Sequence, residues 1–365
     1  MLSFIFETFK MRVVGRIGVI LLLIGILVVL LVLPGTKNDK IHEVIYQKPR
    51  SGVAVIMTGA AARIPQEAAL LEELEKKGLL KDLVFISGVS SGALNSVILN
   101  GIMSGKITWD EYKDILFNLK TSDIFIQGRE KIPVNSAPAR ALYKRVAGAR
   151  LGYFKIGDLP YCTSISFTHI NDIDFKKTVY RMCSRKINAE SDTSVSLVDI
   201  MMASSAFPIV FPPVRIEDVK TLPDQEYVDG GIGEDHVPYH ALLQFEKYRG
   251  EGVEKVYIIS RQIEKTPDIS EELRVLGIND KGIFDKLGVS IDAILRKGII
   301  KGLRAYANDA PQLVPHTEVW IPDLKNDFLL FSFDDLKEQY EETSHWAQNH
   351  DPVPLSEFLQ QHTEK

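Results

Sequence analysis

A serine flanked by glycines lies between two segments of different predicted structure. The sequence GVSSG, which contains Gly88, Ser90 and Gly92, follows a short apolar segment at 83–87 and precedes helix-forming residues at 93–100. A sharp turn of this kind needs small neighbours and lifts the serine hydroxyl clear of the backbone. The following helix places the positive end of its dipole near a carbonyl under attack. The pattern predicts Ser90 as a nucleophile; the alternative is a tight strand-to-helix turn with serine as a helix cap.

A carboxylate followed by two glycines is the second candidate. Asp229 ends the short apolar sequence YVD and is followed by Gly230 and Gly231. Glycines accept positive φ and let the backbone come close to another loop, which leaves the approach to this carboxylate open. Burial near a serine raises the pKa of an aspartate by desolvation and makes it a usable general base at neutral pH. We therefore predict Asp229 as the base for Ser90; the alternative is an ordinary turn aspartate.

Histidine is a common base for a serine nucleophile, and the chain has eight histidines. In an α/β-hydrolase several strands precede the nucleophile turn, and the acid and then the histidine follow it. Here only one apolar strand, at 52–57, precedes Ser90. No histidine follows a convincing buried strand, and the best placed is His316. An esterase with a histidine-containing triad remains the alternative function.

The segments around these motifs predict an α/β fold. A buried strand at 52–57, a helix at 65–77, a second buried strand at 83–87 and the helix at 93–100 alternate along the chain. Such alternation implies a parallel sheet with crossover helices. Residues 121–159 are predicted to be irregular, and a lid or substrate channel could lie there. Further strands are predicted at 161–170, 175–183, 255–260 and 317–321, and further helices at 109–119, 195–206 and 336–347.

Composition excludes some classes of function. Among 365 residues, 45% are hydrophobic and 25% are charged, which is ordinary for a globular protein with a sizeable core. The net charge of -5 lacks the basic excess expected of a nucleic-acid-binding protein. Two cysteines are too few for a zinc ribbon or a disulfide scaffold. We therefore expect no nucleic-acid partner and no metal site.

The N-terminus differs sharply from this average. Residues 17–33 contain only Ile, Gly, Val and Leu, a length at the short end of what spans a bilayer. The sequence therefore predicts a short segment at 1–16, a transmembrane anchor at 17–33, a juxtamembrane linker at 34–50 and a catalytic domain at 51–365. A cleaved signal peptide and a buried core helix are the alternatives.

Flanking charges give a weak orientation for such an anchor. Lys10, Arg12 and Arg16 precede the apolar segment, and Lys37 and Lys40 follow it. Positive residues tend to stay in the cytoplasm, so the N-terminus is predicted inside and the catalytic domain outside the cytoplasm.

Taken together, the motifs resemble those of the patatin-like phospholipase family over about residues 52–238. GVSSGA at 88–93 and VDGG at 228–231 match two family blocks, and ASSAFP at 203–208 with FPP at 211–213 matches a third. The resemblance implies a three-layer α/β/α patatin-like fold with a mainly parallel central sheet. It also implies a Ser-Asp dyad without histidine, a lipid acyl hydrolase activity on phospholipids or lysophospholipids, a lipid substrate at a membrane, and no cofactor. No protein partner is indicated.

The fourth family block differs. The family has a glycine-rich oxyanion loop, GGGxR/KG, whereas this chain has Gly59, Ala60, Ala61, an alanine and Arg63. The resemblance implies that these four residues form the oxyanion hole. Alanine resists the positive φ that glycine accepts, so the loop is expected to be displaced or strained. A catalytically impaired lipid-binding homologue is therefore a third reading.

The two cysteines lie in the predicted hairpin. A turn centred near Asp172 would set Cys162 opposite Cys183, within reach of a disulfide bond. A disulfide in an external domain and two buried free thiols both remain open.

Overall fold

The computed structural model describes residues 49–126, 133–170, 177–208, 210–217, 219–263 and 291–362, except the side chains of 170 and 291–297. Nine strands in this part of the chain form one sheet. The strands are β1 Val53–Met57, β2 Leu83–Val89, β3 Cys162–Ile170, β4 Lys177–Cys183, β5 Val214–Arg215, β6 Glu226–Asp229, β7 Lys255–Ile259, β8 Thr317–Trp320 and β9 Val353–Pro354.

The centre of the sheet is parallel and its margins are antiparallel. The strand order is β5-β6-β3-β2-β1-β7-β8-β9, and β4 pairs with β3 off this path. The pairs that join β3, β2, β1, β7 and β8 are parallel, whereas β4, β5, β6 and β9 pair antiparallel with their neighbours. The carboxyl ends of β1 and β2 therefore lie side by side, where the segments after them can meet.

Helices cover both faces of this sheet. They are α1 Ile64–Lys76, α2 Ser91–Met103, α3 Trp109–Phe117, α4 Thr121–Ile124, α5 Ala137–Tyr143, α6 Leu197–Ser204, α7 His240–Arg249, α8 Ile291–Asp309, α9 Leu336–Gln348 and α10 Leu355–Gln361. A π-helical turn, Lys144–Arg150, continues α5.

Alternation along the central strands produces the layers. In β1, Ala54 and Ile56 are buried against α7, α8 and α10, whereas Val55 and Met57 are buried against α1. Because successive side chains of a strand point to opposite faces, a continuous apolar run is buried on both sides. The result is a three-layer α/β/α arrangement around a mainly parallel sheet, as the family resemblance implies.

Local signals in the sequence define several element ends. The helix α1 has Pro65 in its first turn, and Gly78 follows its end with φ +72. The side chain of Thr108 caps α3 and forms a reciprocal capping box with Glu111. Residues 121–159, expected to be irregular, instead contain α4, α5 and the π-helical turn. Short helices there are held by packing, which local sequence patterns do not report.

The structure corrects the predicted membrane localisation. In the part of the chain that is described, no helix is both long enough and apolar enough to cross a bilayer. The segment at 17–33 that was expected to form the anchor lies outside the described residues. The predicted single-pass membrane localisation is therefore withdrawn, and with it the external location of the catalytic domain.

The predicted cysteine pairing is also corrected. The hairpin of β3 and β4 forms, but its register sets Cys183 opposite Ser164, two residues from Cys162. Both cysteines are buried free thiols. Burial raises the pKa of Cys162 to about 12 and that of Cys183 to about 11, so both thiols are protonated at neutral pH.

Candidate active site

Ser90 lies in a strained turn between β2 and α2. Its backbone has φ 57 and ψ -127, one of two positive φ values at non-glycine residues in the described chain. A Cβ on Gly88 would stand 2.3 Å from the carbonyl oxygen of Gly92, and one on Gly92 would stand 2.6 Å from that of Thr58. Side chains at either position would overlap with backbone atoms. The sharp turn expected from GVSSG is therefore present, and its glycines are required by close packing.

Asp229 ends β6 and reaches the same place from another strand. Its carboxylate lies close enough to the Ser90 side chain for the two to interact, and it accepts a 2.7 Å hydrogen bond from the backbone N–H of Gly231. Only 2% of the residue is exposed. Burial raises the pKa of Asp229 to about 7, against the lowering effects of the Ser90 side chain and the Gly231 N–H. A carboxylate with this pKa can both accept and release a proton at neutral pH.

The lack of a side chain at Gly230 lets the end of β6 come close to β3. A Cβ at this position would stand 2.7 Å from the carbonyl oxygen of Ser166 in β3. In β3, Ser166 pairs with Val89 of β2 and the next residue, Phe167, pairs with Asp229 of β6. The two candidate catalytic residues are thus brought together because their strands are both neighbours of β3.

A largely apolar cavity opens beside Ser90 and Asp229. It is lined by side chains of α2, α4, α5 and α6 and by two loops rich in phenylalanine, at 207–212 and 330–333. The apolar residues in this lining include Ile64, Leu94, Leu119, Ile124, Met202, Phe207, Phe211, Leu330, Phe331 and Phe333. A cavity with this lining suits a hydrocarbon chain whose polar end lies at the serine.

The loop after β1 passes beside the nucleophile turn. A Cβ on Gly59 would stand 3.0 Å from the Ser90 Cβ and 3.5 Å from its Oγ. The N–H of Ala60 donates a 2.7 Å hydrogen bond to the Ser91 hydroxyl. Ala61 has φ 48 and lines the cavity, and its N–H has no acceptor among the described residues. Alanine therefore adopts the left-handed conformation that the glycine-rich loop would favour.

Arg63 has a different position from the other three residues of this loop. It is 1% exposed and is absent from the cavity lining. Its Nε donates to the carbonyl oxygen of Phe328 at 2.9 Å, and its Nη1 donates to that of Gln262 at 3.1 Å. The guanidinium thus links the loop after β1 to the segments that contain Gln262 and Phe328.

A buried polar network beneath the loop has no counterpart in the sequence predictions. Glu67 of α1 is fully buried and hydrogen-bonds Thr58 and Asn95, each at 3.3 Å. Burial raises the pKa of Glu67 to about 8, so the side chain is a neutral acid at pH 7. A signal for this was available, because Glu67 precedes Leu70 and Leu74 by three and seven residues and shares their apolar helix face.

The histidines do not form a triad with Ser90 in the described residues. His316 is half-buried, and its Nδ1 pairs with the carbonyl oxygen of Glu254 at 3.1 Å. His236 lines the cavity, where burial and nearby lysines lower its pKa to about 4. The titratable side chain that interacts with Ser90 is the carboxylate of Asp229.

A strained serine at a strand-to-helix turn of a parallel sheet, with a buried carboxylate beside it, defines a class of α/β hydrolytic enzymes. A sequence model described as patatin-like phospholipase matches residues 55–243, more than half of the 365 residues. The chain therefore belongs to the patatin-like phospholipase family. This membership supports a lipid hydrolase activity in general.

Two solved structures resemble the chain at low sequence identity. VipD from Legionella pneumophila is 11% identical with a TM-score of 0.36, and the match covers 83% of this chain and 68% of VipD. The type III effector ExoU is 14% identical with a TM-score of 0.37, and the match covers 86% of this chain and 53% of ExoU. The chain thus spans about half the length of ExoU.

A third match is to a chain in the structure of the ExoU–SpcU complex from the type III secretion system of Pseudomonas aeruginosa. That chain is 15% identical to this one, with a TM-score of 0.30. That match covers 73% of this chain and 59% of the other. No curated protein matches the chain at a significant level. The family assignment therefore rests on the sequence model alone.

Proposed function

We propose that the protein is a serine lipid acyl hydrolase that cleaves carboxylic esters of phospholipids or lysophospholipids, with Ser90 as nucleophile and Asp229 as general base. The observation that carries this proposal is that the two side chains interact and line the same apolar cavity. The family to which the chain belongs supports the class of reaction.

The first half of the reaction acylates the serine. Asp229 takes the hydroxyl proton as Ser90 Oγ forms a bond to the ester carbonyl carbon. The tetrahedral intermediate collapses, the bond to the alcohol oxygen breaks, and that oxygen receives the proton from Asp229.

The second half of the reaction hydrolyses the acyl-enzyme. Water enters, gives a proton to Asp229 and attacks the carbonyl carbon of the acyl-enzyme. The carboxylic acid leaves as Ser90 Oγ recovers the proton.

Backbone N–H groups stabilise the oxyanion in this proposal. Ala61 supports the role because its N–H has no acceptor among the described residues and it lines the cavity beside Ser90. The N–H of Ser91 lies in the first turn of α2, where intrahelical acceptors are lacking. Ala60 is a weaker candidate in this conformation because its N–H already donates to Ser91.

In this proposal the cavity binds the acyl chain of the substrate. Its walls are aliphatic and aromatic side chains, so transfer of a fatty acyl chain from water is favourable. A catalytically impaired lipid-binding homologue is the second candidate. The observation in its favour is the occupied N–H of Ala60.

A fluorophosphonate probe tests the nucleophile directly. We expect the wild-type protein to be labelled at Ser90, as located by mass spectrometry of the modified peptide. Ser90→Ala should lose both the label and the hydrolysis of a lysophospholipid. An impaired homologue would instead bind lysophospholipid without releasing fatty acid. Labelling that persists in Ser90→Ala, or hydrolysis by that variant, would refute the proposed role of Ser90.

A further inference from the structure

The carboxyl end of α6 contacts the backbone of both proposed catalytic residues. Ser204, the last residue of α6, is fully buried, and its Oγ accepts a 2.9 Å hydrogen bond from the N–H of Ser90. The same hydroxyl donates to the carbonyl oxygen of Ser166 in β3 at 2.7 Å. Two residues later, the carbonyl oxygen of Ala206 accepts a 3.0 Å hydrogen bond from the N–H of Asp229.

These bonds converge on one point of the sheet. In β3, Ser166 is the partner of Val89, which directly precedes Ser90, and Phe167 is the partner of Asp229. Ser204 therefore joins the nucleophile turn to β3, the strand with which Asp229 of β6 pairs. A shift of α6 would move both backbones together.

The backbone of Ser90 needs such a restraint. Its φ of 57 and ψ of -127 lie outside the ordinary regions for a residue with a side chain. A strained conformation of this kind persists only where surrounding contacts over-determine it. Ser90 stands before the first turn of α2, so its N–H has no acceptor within that helix. The hydroxyl of Ser204 supplies the acceptor.

We propose that Ser204 is a positioning residue of the Ser90–Asp229 pair. By holding the Ser90 N–H against β3, it keeps the strained turn in the orientation that brings the Ser90 hydroxyl to the carboxylate. This inference rests on the function proposed above. It assigns no contact between Ser204 and the substrate, because the residue is buried behind the turn and is absent from the cavity lining.

Ser184 provides a matched control within the same protein. It is 1% exposed, its Oγ accepts a 2.9 Å hydrogen bond from the N–H of Thr163, and it donates to the carbonyl oxygen of Tyr161 at 2.9 Å. The pattern of one backbone donor and one backbone acceptor is that of Ser204. The bonds of Ser184 lie at the start of β3 and involve neither proposed catalytic residue. Loss of either hydroxyl therefore removes an equivalent pair of buried hydrogen bonds.

The test compares Ser204→Ala with Ser184→Ala. For each variant we would measure thermal unfolding, the rate of fluorophosphonate labelling at Ser90, and kcat and KM with a lysophospholipid. Both variants should lose similar stability. Only Ser204→Ala should lose labelling rate and kcat, by about 10- to 100-fold, as expected for a misplaced reacting group, with KM changed less than about twofold.

Two results would overturn the proposal. One is a Ser204→Ala protein that is labelled as fast as Ser184→Ala, and the other is an equal loss of kcat in both variants. If Ser204→Ala does not fold, Ser204→Cys keeps the shape of the side chain with a somewhat larger atom and offers only a weak donor and acceptor, and the same comparison applies. Failure of the proposed function is a separate outcome, because the wild-type protein would then lack a label at Ser90.

Discussion

The backbone N–H of Gly231 donates a 2.7 Å hydrogen bond to Oδ1 of Asp229, two residues earlier in the chain. This contact orients a carboxylate that also interacts with the Ser90 side chain. It stabilises the ionised form, yet burial has the larger effect and raises the pKa of Asp229 to about 7. The pH dependence of the hydrolytic activity should therefore report the ionisation of Asp229.

We expect hydrolysis to depend on one deprotonation near neutral pH. A general base must be ionised to accept the Ser90 proton, so kcat/KM should rise with pH through about 7 and then level off. Below that value it should fall about tenfold per pH unit. Initial rates with a soluble short-chain ester between about pH 5 and 9 would measure this profile. A midpoint near the ordinary pKa of an aspartate would contradict the desolvation of Asp229.

Replacement of the carboxylate should have a larger effect than loss of any single histidine. Asp229→Asn keeps the size of the side chain but removes the base, so we expect kcat to fall by at least about 100-fold. His316→Ala should keep most of the activity because the His316 side chain bonds a backbone carbonyl and does not line the cavity beside Ser90. Circular dichroism would confirm that both variants fold. A folded but inactive His316→Ala protein would support the histidine triad instead.

Ala61 and Ala60 should respond differently to glycine. Ala61 has φ 48, a conformation that costs an alanine roughly 1 to 2 kcal/mol, whereas glycine adopts it freely. Ala61→Gly should therefore leave the free energy of unfolding unchanged or raise it by about 1 kcal/mol.

The control for this prediction is Ala60→Gly. Ala60 has φ -129, which alanine accepts, so glycine there should destabilise by about 0.5 to 1 kcal/mol. Urea unfolding of both variants measures the difference, and kcat of Ala61→Gly should be unchanged or raised. A less stable Ala61→Gly protein would show that the left-handed backbone is not strained.

Glu67 should make the protein less stable as the pH rises. An ion-paired carboxylate has the opposite effect. Burial raises its pKa from 4.5 to about 8 in the folded protein, so the folded state binds the proton more tightly than the unfolded state. The stability from this group is complete below pH 4.5 and is lost as pH rises from 4.5 through about 8. Glu67→Gln, which does not titrate, should flatten this part of the profile. Urea unfolding across the range would measure it, and an unchanged slope in Glu67→Gln would contradict the assignment.

Much of the fold around the site follows from local sequence. The apolar runs of β1 and β2 specify strands buried on both faces, and GVSSG specifies the turn because side chains at Gly88 and Gly92 would overlap with backbone atoms. The capping box of Thr108 and Glu111 marks the start of α3. Such features depend on residues a few positions apart, and the sequence displays them directly.

Other features depended on tertiary structure. The sequence by itself determined which residue types stand at Ser90 and Asp229, but their contact arises because β2 and β6 both pair with β3. The hydrogen bond between Ser204 and Ser90, the burial of Glu67 and the left-handed φ of Ala61 likewise appear only in the assembled molecule. Strand order and long-range packing decide them, because a hydrogen bond or a desolvated carboxyl requires partners that are distant in sequence and close in space.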